Sequence, residues 1–345
     1  MRALTLRSAA AQHPGVMTPS GGRAPVRDSD RPDPKGSATP ADEARRGDRP
    51  ALAIDLGGTK AAFAVIDSDG VVLSRSKRPS HEGGRTVGFD ALAASATDVV
   101  RGAGLAWADV GGVGVVVPGI YDPATGRAWA PNLWGRDEVP LLGELRERFP
   151  ARVVIDSDRS GYVLGEAWQG AARGCTDVVF LAVGTGIGAG ILSRGRLVRG
   201  HGGIAGAVGW FALDPRWRDE YARVGAFEAE AAGPAFARRL GNASAEAAAE
   251  AARRGDPEAR RAVDETVEWL AMGTANLISV FNPEVVVLGG GLMQAADLFL
   301  DPVRRAVRRW AQPRAAEQCR IELTRLGEDA ALFGAARLAF LDESP

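Results

Sequence analysis

Two stretches of this chain repeat one pattern, and the repeat restricts the fold more than any other feature. Residues 52–75 read LAIDLGGTKAAFAVIDSDGVVLSR, and residues 178–199 read VVFLAVGTGIGAGILSRGRLVR. Each is an apolar run, a tight turn of Gly and Thr, a second apolar run, a further Gly turn and a third short run. Thr59 followed by Gly70 answers to Thr185 followed by Gly195. A strand broken by glycine and resumed as a strand is a hairpin, and its turn lets backbone come close to a ligand. The Thr hydroxyl and the N–H groups of such a turn can hold phosphate oxygens. Either turn alone is as well explained as an ordinary hairpin. Two matched copies, with a third glycine turn at Gly289-Gly290-Gly291, favour the phosphate reading.

The rest of the chain extends each copy. Strands are expected over 51–56, 61–67 and 71–75, followed by helical spacing of Phe89, Leu92, Ala93, Val99 and Val100. A buried strand, 112–117, ends at Pro118-Gly119. A turn-rich aromatic loop follows, then a helix over 139–149 and a strand over 152–155 that runs into Asp156-Ser157-Asp158 and a helix over 161–172. After the second copy the spacing predicts Ala-rich helix over 229–271, continued to Phe281 and stopped by Asn282-Pro283. A strand over 285–288, a helix over 295–311, a strand over 321–324 and a closing helix over 330–341 complete it. Strands first, then α/β, twice over, imply an α/β fold of two related domains with a cleft between them.

The length of 345 residues suits two cores. We expect a smaller domain over 50–155, completed by the closing helix 330–341, and a larger one over 156–329. Residues 1–49, rich in Pro, Gly, Ser, Asp and Arg, bury too little to offset ordering and read as a disordered tail. A formal net charge of −1 gives no basic field for nucleic acid or a membrane surface. No apolar run approaches the ~20 residues of a membrane span, and the first residues are too interrupted for a secretory signal. Cys175 and Cys319 alone make no disulfide framework and suit a cytoplasmic setting.

Two other glycine-loop readings fail on context. Gly184-Thr185-Gly186-Ile187-Gly188 follows a strand, but strand-like sequence rather than a helix comes after it, so it is not a dinucleotide fingerprint. No G-x-x-x-x-G-K-[ST] loop is present. What remains is a phosphate clamp made of Gly57, Gly58 and Thr59 with Thr185 and Gly186. Lys60 is either a phosphate partner or a solvated residue leaving the turn. Asp55, just before the first turn, could hold Mg2+ directly or through water. Gly289, Gly290 and Gly291 could pack on an adenine ring or ribose, or simply join strand to helix.

Phosphoryl transfer asks for an aligned hydroxyl, neutralised phosphate charge and a carboxylate to take the proton. Asp158, past a buried strand and before a helix, is the candidate base; the alternative is an N-cap. Asp156 should point to the opposite side. Asn132, in the aromatic loop, offers donor and acceptor to a polyol.

These residues, in this order, resemble the ROK family of sugar kinases and sugar-sensing repressors, within the hexokinase/actin-like ATPase superfamily. The likeness covers residues 51–340. It rests on Asp55-Leu-Gly-Gly-Thr-Lys60, Val117-Pro-Gly119, Ala130-Pro-Asn-Leu133, Ser157-Asp158 leading to Leu164-Gly-Glu166, the second turn, Gly206, Gly225 through Glu228, Asn282-Pro283, the third glycine turn and Gly327-Glu-Asp-Ala330. The resemblance implies two actin-like (ribonuclease H-like) domains that close on their substrate. It implies ATP, Mg2+ and phosphorylation of an exocyclic primary hydroxyl of a small polyhydroxylated substrate. Asp158 would be the base, Asn132 and Glu228 would contact substrate, and both turns would contact phosphate. A homodimer is the family expectation.

The chain also departs from that pattern. Ser157 replaces an Asn. The family's A-G-E-x-G-H is here Ala205-Gly206-Ala207-Val208-Gly209-Trp210, so a sugar-gripping Glu and a His that also binds zinc are gone. The cysteines of C-x-C-G-x-x-G-C fall on Asp219, Tyr221 and Ala226, so no structural zinc is expected. Trp210 either offers a flat face to a substrate ring or fills the volume the zinc site vacated. The altered pocket favours a C7-cyclitol acceptor over a hexose or aminosugar. A repressor is not expected, because residues 1–49 are too short and apolar-poor for a winged helix. A non-catalytic sugar sensor is the remaining alternative.

Overall fold

A computed structural model describes residues 49–241 and 244–341. The tail expected to be disordered lies outside the described residues except for Arg49, whose guanidinium donates to Ala108 O at 3.1 Å.

The repeat is one topology used twice. β1 (Ala51–Leu56), β2 (Lys60–Ile66) and β3 (Val72–Pro79) form an antiparallel meander. β4 (Gly112–Val117) and β5 (Val153–Ser157) add in parallel beyond β1, giving the order β5-β4-β1-β2-β3. The second copy has β6 (Val178–Val183), β7 (Ile187–Ser193) and β8 (Arg196–Leu197), with β9 (Val285–Gly289) and β10 (Arg320–Leu323) parallel beyond β6. Its order, β8-β7-β6-β9-β10, is the same. In the first sheet Asp55 pairs with Ala62 and Val116; in the second Ala182 pairs with Gly188 and Gly289. Asp55 and Ala182 are therefore equivalent positions, and only the first copy carries a carboxylate there.

Strand alternation sorts side chains by size. Leu52, Ile54, Leu56, Phe63 and Val65 point to the face covered by α1 (Phe89–Gly102). Ala51, Ala53, Ala62 and Ala64 point the other way. That shallow face admits α6 (Ala330–Phe340) so closely that a Cβ on Gly114 would stand 1.7 Å from Ala335 O. α2 (Asp158–Gln169) leaves β5 yet packs on β6 and β7. α6 leaves β10 yet packs on β1 and β4. Each sheet is thus covered by the helix that the other sheet emits. The two helices cross through glycine: a Cβ on Gly165 would lie 2.1 Å from Ala330 O, and one on Gly334 1.8 Å from Gly161 O. Val163, Leu164, Phe180, Val287 and Leu332 are buried around that crossing.

Between β8 and β9 the single Ala-rich run expected from the spacing is broken. It holds α3 (Ala226–Ala231), helices over Gly233–Arg239 and Ala245–Arg253, and α4 (Pro257–Phe281). Pro234 and Pro257 occupy first turns, where a missing N–H costs nothing, and so start new helices. Asn282, left-handed at φ 44°, ends α4 as expected. α5 (Ala296–Trp310) follows the third glycine turn. The aromatic loop is more ordered than its turn-rich sequence suggests. It forms a small sheet of Ile120–Asp122, Arg127–Trp129 and Glu138–Val139, with a short helix over Pro131–Trp134. No described helix is long and apolar enough to cross a membrane.

Candidate active site

The first turn joins β1 to β2 and is held from behind by a residue the sequence reading missed. Buried Ser80 donates its Oγ–H to Gly57 O at 2.6 Å and its N–H to Thr59 O at 2.9 Å. Asn132 packs on this turn: a Cβ on Gly58 would stand 3.1 Å from Asn132 Cβ. The second turn is closed by Gly184 N–H donating to Gly186 O at 2.9 Å. Glu228, on α3, packs on it in the same way. A Cβ on Gly186 would lie 2.8 Å from Glu228 Oε2, which accepts the Ile187 N–H at 2.8 Å. Each Gly/Thr turn therefore carries one of the two candidate substrate ligands against its glycine. Thr59 and Thr185 are both exposed.

The third glycine turn adjoins the second: a Cβ on Gly184 would stand 3.5 Å from Gly291 N. Gly289 itself belongs to β9 and is buried under Phe180, whose ring would meet its Cβ at 2.3 Å. Gly290, with φ 90°, and Gly291 form the exposed part. Lys60 Nζ pairs with Glu328 at 2.6 Å, and Lys77 reaches the same carboxylate at 3.7 Å. Both side chains of the Lys60 pair are more than half exposed or close to it, so the pair holds weakly.

Asp55 and Asp158 share one poorly solvated region. Burial, then the charge of Asp158, raises Asp55 from 3.8 to about 7. Burial raises Asp158 to about 6, against the opposing pull of the Arg159 charge, the Arg159 N–H and the Tyr162 hydroxyl. Asp158 opens α2 but is not its cap. Ser157 is the N-cap, its Oγ accepting the Ser160 N–H at 3.3 Å. The Asp158 carboxylate instead accepts the Arg159 N–H at 2.8 Å. Asp156 is buried with Arg199 Nε donating to it at 2.7 Å. Residues two apart on a strand share a face, so it is the end of β5 at Ser157, and not alternation, that gives Asp156 and Asp158 different partners. Arg159 and Tyr162 were not singled out from sequence. Arg159 donates to Gly119 O at 3.1 Å and lies near Gly203 O at 3.5 Å, linking the loops after β4 and β8. Tyr162, one helical turn after Asp158 and stacked on Phe180 at 5.1 Å, has its hydroxyl in hydrogen-bonding reach of that carboxylate. Spacing of i,i+4 on a helix was the available signal for it.

The aromatic residues separate. Trp210 is 57% exposed on a turn beside Gly209, and a Cβ on Gly209 would stand 3.1 Å from Glu228 Cβ. That exposure rules out the reading in which Trp210 fills a vacated volume. Trp129 is 40% exposed, whereas Trp134 packs on Phe89 at 6.2 Å in the first core.

The ROK family pattern matches residues 51–341. A glucokinase of Thermotoga maritima is 31% identical over 309 residues, covering 83% of this chain and 96% of that protein. A ROK hexokinase structure from Thermus thermophilus superposes with a TM-score of 0.74 at 31% identity, covering 85% of this chain and 98% of that one. A ROK family glucokinase from Streptomyces griseus, solved with glucose and AMPPNP, gives a TM-score of 0.67 at 29% identity, covering 84% of this chain and 98% of that one. On the match over nearly all of the described residues, this chain belongs to the ROK family.

Proposed function

We propose that this ATP-dependent sugar kinase transfers the γ-phosphoryl group to a primary hydroxyl of a hexose-type sugar, with Asp158 as general base. The observation that carries the reading is the paired packing of Asn132 on the first turn and Glu228 on the second. Side chains suited to sugar hydroxyls are thereby set directly against two turns suited to phosphate.

In this reading Asp158, ionised above about pH 6, accepts the proton of the attacking hydroxyl as the new O–P bond forms and ADP departs. Thr59, Thr185 and the N–H groups of the two turns cradle phosphate, and Gly290 and Gly291 take the nucleoside end. Lys60 can exchange its exposed partner Glu328 for a phosphate oxygen. Two half-buried carboxylates, both pushed toward protonation, form a donor set that suits a hydrated divalent cation. Asp55, directly or through water, would hold Mg2+ there, and the bound ion neutralises phosphate charge. A structural zinc does not suit the residues present. Trp210 and Ala226 offer no ligand atom, and the Tyr221 hydroxyl donates elsewhere.

Similarity to glucokinases favours a hexose over a carbocycle. One observation supports a C7-cyclitol as a second reading: the exposed face of Trp210 stands where the family has polar sugar ligands. A panel of glucose, other hexoses, N-acetylhexosamines and a C7-cyclitol, scored by ADP release, decides between them. The Asp158→Asn variant is expected to fold and to lose ~10²–10⁴-fold in turnover. Near-normal turnover in that variant would remove the base assignment, and tight binding of a sugar without any ADP release would leave a sensor.

A further inference from the structure

The segment between Trp210 and α3 is where the family places its metal cross-link, and this chain fills it differently. Glu230, on α3 two residues past Glu228, is 6% exposed. Its Oε1 accepts the Tyr221 hydroxyl at 2.6 Å and Arg218 Nη1 at 2.7 Å. Its Oε2 lies 3.2 Å from Arg239 Nη2. Arg239 in turn donates to Glu230 O at 2.6 Å and to Thr266 Oγ1 on α4 at 3.2 Å. One carboxylate thus joins three stretches of chain: the segment carrying Arg218 and Tyr221, the helix Gly233–Arg239, and, through Arg239, α4.

Tyr221 occupies a position where the family motif has a cysteine. Among the described residues no group of three or more His, Cys, Asp and Glu could hold a metal. Tyr221 is itself 4% exposed and packs edge-on against Trp217 at 6.1 Å. Arg218, Glu230 and Arg239 line a cavity of about 670 Å³ together with Leu213, Trp269 and Met272. α3 is fixed at its other side by Phe227, fully buried against Gly273 of α4. With Phe227 and Glu230 held, Glu228 between them is directed at Ile187 and the second turn.

We infer that Glu230 is a positioning residue for the acceptor site, replacing a metal cross-link with a carboxylate that ties Tyr221, Arg218 and Arg239 together and so sets Glu228. This rests on the proposed role of Glu228 in binding the acceptor, and the experiment separates the two. Glu230→Gln and Tyr221→Phe are compared with the parent by hydrogen exchange over residues 211–226, by metal content, and by KM for sugar and for ATP. The expected result is faster exchange in 211–226 in both variants and zinc-free parent protein. Sugar KM should rise about tenfold in Glu230→Gln while ATP KM stays within about twofold. Unchanged exchange, or one zinc per chain in the parent, overturns the inference, as does a rise of both KM values together. If Glu230→Gln does not fold, Tyr221→Phe, which removes a single donor, decides by the same readouts. Should the parent phosphorylate no sugar, the function fails while exchange and metal content still decide on Glu230.

Discussion

Glu228 Oε2 accepts the Ile187 N–H at 2.8 Å, so the side chain proposed to grip the acceptor also buttresses the turn proposed to hold phosphate. Burial raises its pKa and the Ile187 N–H opposes that rise. The two roles are separable. Glu228→Gln keeps an oxygen for Ile187 and should raise sugar KM by ~10–100-fold with ATP KM little changed, because it removes a charge-assisted bond worth ~1.5–3 kcal/mol. Glu228→Ala also leaves the N–H unpaired and should raise both KM values. Steady-state kinetics with each substrate varied in turn distinguish the outcomes.

The pH profile should report Asp158 through Tyr162. Burial sets Asp158 at about 6, and the Tyr162 hydroxyl favours its ionised form. Loss of that donor in Tyr162→Phe removes a stabilisation of the carboxylate, so the pKa rises. The acid limb of kcat/KM is expected to fall through about pH 6 in the parent and to move to higher pH in the variant. An unmoved limb would place the Tyr162 hydroxyl outside the reaction.

Asp55 should cost stability where the protein works. Its folded pKa, about 7, is above its ordinary 3.8, so the folded chain binds this proton more tightly than the unfolded chain. The sign follows: its contribution is most favourable below pH 3.8 and is lost as pH rises through about 7. Asp55→Asn is therefore expected to raise Tm by a few degrees at pH 8, at ~2–4 °C per kcal/mol, with the gain fading toward pH 4. Activity should be lost in the same variant, a stability–function trade at a site built for charge. Thermal melts at the two pH values check it.

What could be read from sequence was whatever local pattern decides. The duplicated hairpin showed itself because glycine turns and apolar runs are short-range features. The order of strands followed because each copy continues with the same sequence of elements. Asp158 was visible as a carboxylate after a buried strand. The alternative reading of it as an N-cap falls because Ser157, one residue earlier and an equally good cap by type, takes that place. Ser80 carried no signal, since it meets the first turn by folding back from 23 residues away. Trp134 and Trp129 looked alike in one aromatic loop, yet the short helix Pro131–Trp134 turns one inward and leaves the other out. The exchange of closing helices between the sheets depends on tertiary packing, and only the row of alanines on β1 and β2 foreshadows it.

That exchange supplies the last prediction. Where α2 crosses α6, the backbones meet because Gly161, Gly165 and Gly334 have no side chains. A methyl at Gly165 would sit 2.1 Å from Ala330 O, a backbone atom that no side-chain rotation can move. Gly165→Ala must therefore push the helices apart. The cost of overpacking, ~1–3 kcal/mol, outweighs the ~0.5–1 kcal/mol that Ala offers over Gly within a helix. Gly143, on the helix Leu141–Arg146, is the control, because nothing stands within 4 Å of its would-be Cβ. Gly143→Ala should be neutral or stabilising. Urea unfolding should show a lower midpoint for Gly165→Ala alone, at unchanged m-value. Because the helix that begins with Asp158 passes through this crossing, kcat should fall in Gly165→Ala as well. An unchanged midpoint with normal kcat would mean that the two helices do not approach this closely in solution.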